Sequence, residues 1–228
     1  VRGRPRKGWK DRIHRFSLFH DYFPDIDLTR LAESEAQASL VQSYLSSFGP
    51  ATEKDIAWWS GLTITEVREA LSHIEEQVTQ VDVSDTKGNF IMLRSDEEPL
   101  GNAKTSGRGT VNLLPTLDPY LMGYKDRARY LSQEHQEYVF DRGGNATTTI
   151  LVDGRIIGVW DFTEDAKPLV KLLLLKKVAR SILSEIRSEA QKIGRFIAGK
   201  EVQVKECDSM VPLTRRTAGG FMSPLKGC

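Results

Sequence analysis

The fold is decided by residues 48–63, whose sequence is FGPATEKDIAWWSGLT. Thr52 and Asp55 have the spacing of a capping box, in which a hydroxyl and an acidic side chain three residues later each bond a free backbone amide at a helix start. Gly61 is a typical helix stop. The segment therefore predicts a short helix whose inward face is formed by Ile56, Ala57 and Trp59.

Helices are predicted on both sides of this segment. Before it, a capping box at 34–37 starts a helix that ends at Gly49, and its apolar positions are Ala38, Val41, Leu45 and Phe48. After it, Thr63 and Glu66 form a third capping box. The helix that they start has its apolar positions, at helical spacing, at Ile64, Val67, Leu71, Ile74 and Val78.

Two alternating stretches, 80–84 and 90–94, follow the third helix. They are joined by DTKGN at 85–89, which is typical of a hairpin turn. Three short helices and a hairpin are the order of a winged helix, a variant of the helix-turn-helix. We therefore assign residues 34–99 to a winged helix.

The third helix of such a domain would enter the major groove, but its charge is unfavourable for DNA. Its exposed positions hold one arginine and four glutamates, and they are Thr63, Thr65, Glu66, Arg68, Glu69, Ser72, Glu75 and Glu76. Phosphate attraction supplies most non-specific DNA affinity. We expect this winged helix to be architectural, or to pair with another module, rather than to read bases through its third helix.

Positive charge is concentrated outside that domain. Residues 1–15 carry seven basic side chains and one acidic one, residues 16–100 carry a net charge of −11, and residues 101–228 carry +6. The first segment includes Arg2, Arg4, Arg6 and Lys7, in the order R-G-R-P-R-K. This order suits an extended arm in a narrow A·T minor groove, although we favour a basic linker. An aromatic helix over 9–23 would connect this arm to the core and complete a first region of residues 1–33.

The second half predicts a smaller domain after a loop at 100–112. Strands are expected at 147–153, 155–162 and 169–174, since Asp153-Gly154 is a strong hairpin signal. They would form a small antiparallel sheet, followed by a long amphipathic helix at 178–198 with a basic outer face. The fold class is therefore α+β, with a winged helix, a β-rich domain at 113–199 and a tail at 200–228.

One segment of the second domain carries candidate DNA contacts. Asp118 stands between an apolar run and a proline, and two tyrosines and three basic residues follow, namely Tyr120, Tyr124, Lys125, Arg127 and Arg129. Such a set could grip a DNA backbone or stack on bases. Alternatively, Asp118 caps a turn and the tyrosines belong to the core. We add Arg142 and Arg155 as candidate phosphate contacts.

Several other classes of protein are excluded. Two cysteines, Cys207 and Cys228, are too few for a disulfide framework or a zinc module, and they favour a reducing compartment. No apolar run is long enough for a membrane helix, and no nucleotide fingerprint is present. We therefore predict no catalytic constellation, no metal and no cofactor within these residues, and a cytoplasmic location. The chain begins with Val1, so we expect it to be a piece of a longer protein.

Three stretches in the same order carry a family resemblance. They are residues 48–63, residues 114–127 (LPTLDPYLMGYKDR) and residues 150–160 (ILVDGRIIGVW). Together they resemble the winged helix DNA-binding domain family that includes the AlkZ and YcaQ DNA glycosylases, over about residues 10 to 198.

The resemblance implies tandem winged helices around a DNA-binding concavity, ending in a β-rich domain. In the glycosylases of this family, a Gln-apolar-Gln or Gln-apolar-Asp motif positions water for removal of alkylated or crosslinked bases, without a metal. The family carries that motif in an N-terminal winged helix, so we expect both upstream of residue 1. Gln80-Val81-Asp82 also matches the motif, but it lies in the predicted wing strand, and we interpret it as a chance match. Double-stranded DNA, possibly damaged, is the implied partner. The alternative is a non-enzymatic winged-helix DNA-binding or regulatory protein.

Overall fold

A computed structural model describes residues 16–84, 86–104, 107, 109–164, 166–215 and 225–228. Its α-helices are α1 (Phe19–Tyr22), α2 (Glu33–Phe48), α3 (Glu53–Ser60), α4 (Ile64–His73), α5 (Glu97–Gly101), α6 (Pro119–Met122), α7 (Gln136–Val139) and α8 (Arg180–Ala198). Its strands are β1 (Val78–Val81), β2 (Phe90–Leu93), β3 (Val111–Leu114), β4 (Thr149–Val152), β5 (Arg155–Thr163), β6 (Leu169–Leu174), β7 (Gln203–Glu206), β8 (Ser209–Met210) and β9 (Leu225–Lys226).

The three helices and the hairpin of the winged helix are confirmed. Thr52 caps α3 and Thr63 caps α4, each accepting the backbone N–H three residues on. Gly61 ends α3 in the left-handed conformation, at φ 78°. The start of α2 was placed wrongly, because Ala32 rather than Ser34 precedes the first turn, and its N–H bonds Glu35.

Three further predictions for this half are wrong: the start of β1, the burial of Trp59 and the extent of the aromatic helix. Strand β1 begins at Val78, two residues earlier than predicted. Trp59 is 41% exposed, although its ring still contacts those of Tyr44 and Phe48. In the described part of the predicted aromatic helix, only α1 is helical, and Phe16 is 77% exposed rather than packed on the core.

The second half is built on a sheet of five strands, larger than the predicted one. Its order is β3-β4-β5-β6-β7, and β7 pairs with β6 in parallel whereas the other pairs are antiparallel. The predicted strands form its centre. Strand β3 begins inside the predicted loop, and β7 lies in the predicted tail. The fold class is confirmed, with this wider and mixed sheet as the correction.

Helix α8 connects the parallel strands β6 and β7 and covers one face of the sheet. Ile186 and Ala190 are fully buried there against Ile150, Val170 and Leu172. The basic outer face of α8 is partly neutralised, because three cations form ion pairs, Arg187 with Glu206, Lys192 with Glu189 and Arg195 with Glu201.

The other face of the sheet shares a core with the winged helix. Leu151, Ile156 and Val159 belong to one buried cluster with Val41 and Leu45 of α2. The two halves are therefore packed together around one shared buried cluster.

The two cysteines form a link that the sequence analysis did not predict. Cys207 and Cys228 are joined in a disulfide, which ties the paired strands β8 and β9 to the end of β7.

Replacing Gly194 by alanine tests the close packing of α8 on the sheet. A Cβ at this buried position would lie 2.5 Å from Val202 Cγ2 and 2.7 Å from Val170 Cγ2. Overpacking of this kind costs about 1–3 kcal/mol, more than alanine gains in helix propensity. We expect Gly194→Ala to lower the free energy of unfolding in urea titrations.

The matched control is Ser188→Ala, an exposed position on the same helix. It should change the free energy of unfolding by less than about 0.5 kcal/mol. Equal or higher stability of Gly194→Ala would show that α8 lies farther from the sheet than described.

Candidate nucleic-acid interface

The segment from Leu117 to Leu131 follows β3, contacts the winged helix and carries half of the predicted DNA contacts. Asp118 Oδ1 accepts the N–H of Tyr120 at 3.0 Å, and Pro119 is the first residue of α6. The interpretation of Asp118 as a cap is confirmed. A contact of Asp118 with DNA stays a prediction.

Asp55 of α3 holds the next part of this segment. Its carboxylate is fully buried, and Oδ1 accepts the N–H groups of Lys125 and Asp126 at 2.8 and 3.1 Å. Oδ2 accepts both the N–H and the hydroxyl of Thr52 and lies 3.6 Å from Arg129 Nη2. Asp55, which the sequence predicts only as part of a helix cap, therefore also links the winged helix to the second half. We call this set of contacts at Asp55 the joint.

The tyrosines of the segment have different environments. Tyr124 is 5% exposed and donates its hydroxyl to the Phe48 carbonyl at 2.9 Å, while Tyr130 donates to Leu121. Tyr44 of α2 completes the joint by donating to the Gly123 carbonyl at 2.8 Å. Tyr120, by contrast, is 37% exposed with its ring against those of Tyr124 and Tyr130. A base could stack on Tyr120 from outside, whereas Tyr124 already has a packing role.

Burial also changes how readily these hydroxyls ionise. It raises the pKa values of Tyr44, Tyr124 and Tyr130, and neutral phenols are the form that can donate to the carbonyls. The pKa of Tyr120 is raised by burial as well, against the opposing charges of Arg129 and Arg155. Arg129 lies over the neighbouring Tyr124 ring, and Ile156, the residue after Arg155, donates its N–H to the Tyr130 carbonyl at 2.8 Å.

Arg127 and Arg129 are largely engaged by the protein. The Arg127 guanidinium lies 3.3 Å from the Phe140 ring centroid and donates to the Gly144 carbonyl, and burial lowers its pKa. Arg129 lies over the Tyr124 ring at 3.7 Å and donates to the Pro50 carbonyl. Both have structural roles, and their contact with DNA stays a prediction.

The remaining predicted residues differ in availability. Lys125 and Arg155 are exposed and form no ion pair with another described residue. Arg142 is exposed too, but its Nε donates to the Thr214 carbonyl at 2.6 Å. Arg2, Arg4, Arg6 and Lys7 lie outside the described residues. The available set is therefore Tyr120, Lys125 and Arg155.

Sequence reasoning missed two features near this set. Leu117 has a left-handed backbone, at φ 60°, with a side chain 46% exposed. Asp153, also left-handed, accepts the N–H groups of Gly109 and Thr110 and fixes the loop before β3. The Asp-Gly pair signalled the turn at 153, but no sequence signal marks Leu117.

Neither a metal site nor a positively charged recognition helix is found in the part of the chain that the structure describes. No group of three His, Cys, Asp or Glu side chains there could hold a metal ion, and no helix could cross a membrane. On α4, Arg68 is paired with Glu53. The acidic face of α4 therefore has even less free positive charge than its sequence suggests.

The fold and this surface define a winged-helix protein with an attached mixed sheet. The family model described as DNA glycosylase AlkZ-like matches residues 1–196. The chain belongs to the AlkZ-like DNA glycosylase family.

One protein sequence and one solved structure from Streptomyces sahachiroi are similar to this chain. An interstrand DNA cross-link repair glycosylase is 30% identical over 135 residues, which are 57% of this chain and 35% of that protein. The solved structure of DNA glycosylase AlkZ matches with a TM-score of 0.69 at 20% identity, over 90% of this chain and 53% of that one. The structural likeness supports the fold, and this chain spans about half or less of each relative.

Replacing Asp55 by alanine tests the joint. The variant leaves two backbone N–H groups of the 125–126 turn and a mostly buried Arg129 without their shared acceptor. Removing one partner of a buried, hydrogen-bonded charge pair costs about 3–5 kcal/mol. We expect a loss of about 3 kcal/mol in the free energy of unfolding, measured by urea denaturation.

Glu53→Ala on the same helix is the control, because it removes the exposed pair with Arg68. Such pairs contribute less than about 1 kcal/mol. If Asp55→Ala cost no more than Glu53→Ala, the carboxylate would not be the joint of the fold.

Proposed function

We propose that this chain is the DNA-binding portion of a DNA-repair glycosylase that acts on alkylated or crosslinked bases in double-stranded DNA. It would work in the cytoplasm, beside a further winged-helix domain of the same protein. Family membership and similarity to the S. sahachiroi interstrand DNA cross-link repair glycosylase support this proposal. In this proposal, the residues that the structure describes bind the DNA duplex.

The observation that carries the DNA-binding surface is the exposed Tyr120 ring on a segment that also presents an exposed cation, Lys125. The ring is 37% exposed and packs on Tyr124 and Tyr130, and Ile156, the residue after Arg155, donates its N–H to the Tyr130 carbonyl at 2.8 Å. An aromatic ring backed by other rings is a stacking platform of low conformational entropy. Cations beside it can neutralise phosphates on either side of a stacked base.

The surface differs from the usual one for this fold. In a typical winged helix, the third helix supplies the groove contacts, but α4 is acidic and its arginine is paired. We assign α4 to a structural task and assign phosphate contacts to Lys125 and Arg155. Asp55 then matters for binding indirectly, because it holds the backbone of Lys125.

A double variant, Lys125→Ala with Arg155→Ala, tests this assignment. Each lost phosphate contact should lower the slope of log affinity against log salt by about one. We expect about a tenfold weaker affinity for duplex DNA at low salt and a slope smaller by about two, measured by fluorescence anisotropy.

The control is Lys54→Ala with Arg68→Ala, which removes the same charge from α3 and α4. It should change the affinity by less than about twofold, since only long-range charge is lost. Equal losses in the two double variants would mean that net charge, rather than this surface, governs binding.

A further inference from the structure

The loop between β3 and α6 presents an apolar side chain from a backbone conformation that leucine rarely adopts. Leu117 has φ 60° and is 46% exposed. Left-handed backbone is found in only a few per cent of non-glycine residues, and it persists where surrounding contacts over-determine it. A leucine that is held in this conformation and is half exposed indicates a role in binding rather than in the stability of the fold.

The backbone on both sides of Leu117 is fixed. Its own N–H donates to the Ala146 carbonyl at 3.0 Å, and β3 pairs with β4 immediately before the loop. On the other side, Asp118 caps α6, and Met122 N–H returns to the Asp118 carbonyl. The side chain is thus carried on a rigid turn, as an inserting group requires.

The surroundings of this turn favour DNA as the occupant. Tyr120, three residues on, is the exposed ring of the proposed surface. It contacts the Tyr130 ring, and the Tyr130 carbonyl accepts the N–H of Ile156, the residue next to the exposed Arg155. By comparison, Phe196 is 90% exposed on α8 with ordinary helical backbone, and the cations near it on that helix are paired. Exposure alone therefore does not distinguish Leu117, but strain, rigidity and adjacent positive charge together do.

We infer that Leu117 is a wedge that inserts between base pairs of the bound duplex, next to a base that stacks on Tyr120. This inference rests on the proposed function, because it needs a DNA surface at Tyr120. Proteins that kink DNA commonly insert apolar side chains of this size between base steps. Insertion would favour duplex that is already weakened by a mismatched or damaged base, where unstacking costs least.

The test measures local unstacking and binding on the same complex. The probe is a duplex with 2-aminopurine beside a mismatched pair, since 2-aminopurine fluoresces more when it is unstacked, and anisotropy of an end label reports binding. We expect the wild-type chain to raise the 2-aminopurine signal by at least about twofold. Leu117→Gly should bind without this rise and lose about tenfold of the preference for mismatched over fully paired duplex.

Glycine suits this position as a test because it adopts the left-handed backbone without strain, so the fold is expected to persist. Leu117→Phe keeps a large apolar wedge and should keep the fluorescence rise. Leu28→Gly removes another exposed leucine, 62% exposed, between α1 and α2 and outside the 115–129 segment, and should behave as wild type.

Each outcome decides the matter. A fluorescence rise with Leu117→Gly equal to that of wild type would overturn the wedge, as would wild-type binding without any rise. If the wild-type chain gave no anisotropy change with duplex at all, the proposed DNA-binding function would itself fail, and the inference with it.

Discussion

The buried carboxylate of Asp55 joins the two halves of this molecule. It accepts hydrogen bonds from the helix start to which it belongs and from the turn at Lys125 and Asp126, which follows α6 in the other half. A charge buried this deeply is tolerated only when its lone pairs are satisfied. Asp55 therefore fixes the winged helix against the turn at 125–126, together with the hydrogen bonds that Tyr44 and Tyr124 make between the two halves.

The same joint explains why several predicted DNA contacts are used inside the protein. Arg129 neutralises Asp55 and lies on the Tyr124 ring, and Arg127 lies on Phe140. Arginine suits such places because its planar group stacks and donates at once. What remains open to solvent is a smaller set: the Tyr120 ring, which packs on two other rings, and the exposed cations Lys125 and Arg155.

Local signals in the sequence predicted a large part of the fold. The capping boxes at Thr52 and Thr63 and the hairpin at Asp153 depend on neighbours within a few residues, and each was found. Strand β7 was not predicted because its short polar sequence has no strand signal of its own, and it forms a strand only by pairing with β6. The second role of Asp55 and the backbone conformation of Leu117 were not predicted either. They depend on partners distant in the sequence, namely Lys125, 70 residues from Asp55, and Ala146, 29 residues from Leu117.

The central claim is that duplex DNA lies on the loop around Tyr120 and on the start of β5 rather than on α4. Hydrogen exchange of the 228-residue chain, with and without a duplex that carries an alkylated base, tests this claim directly. The account predicts slower amide exchange over 115–129 and 153–156 in the complex, with α4 unchanged. Protection of α4 with no change over 115–129 would contradict it and would restore the usual groove-binding role of the third helix.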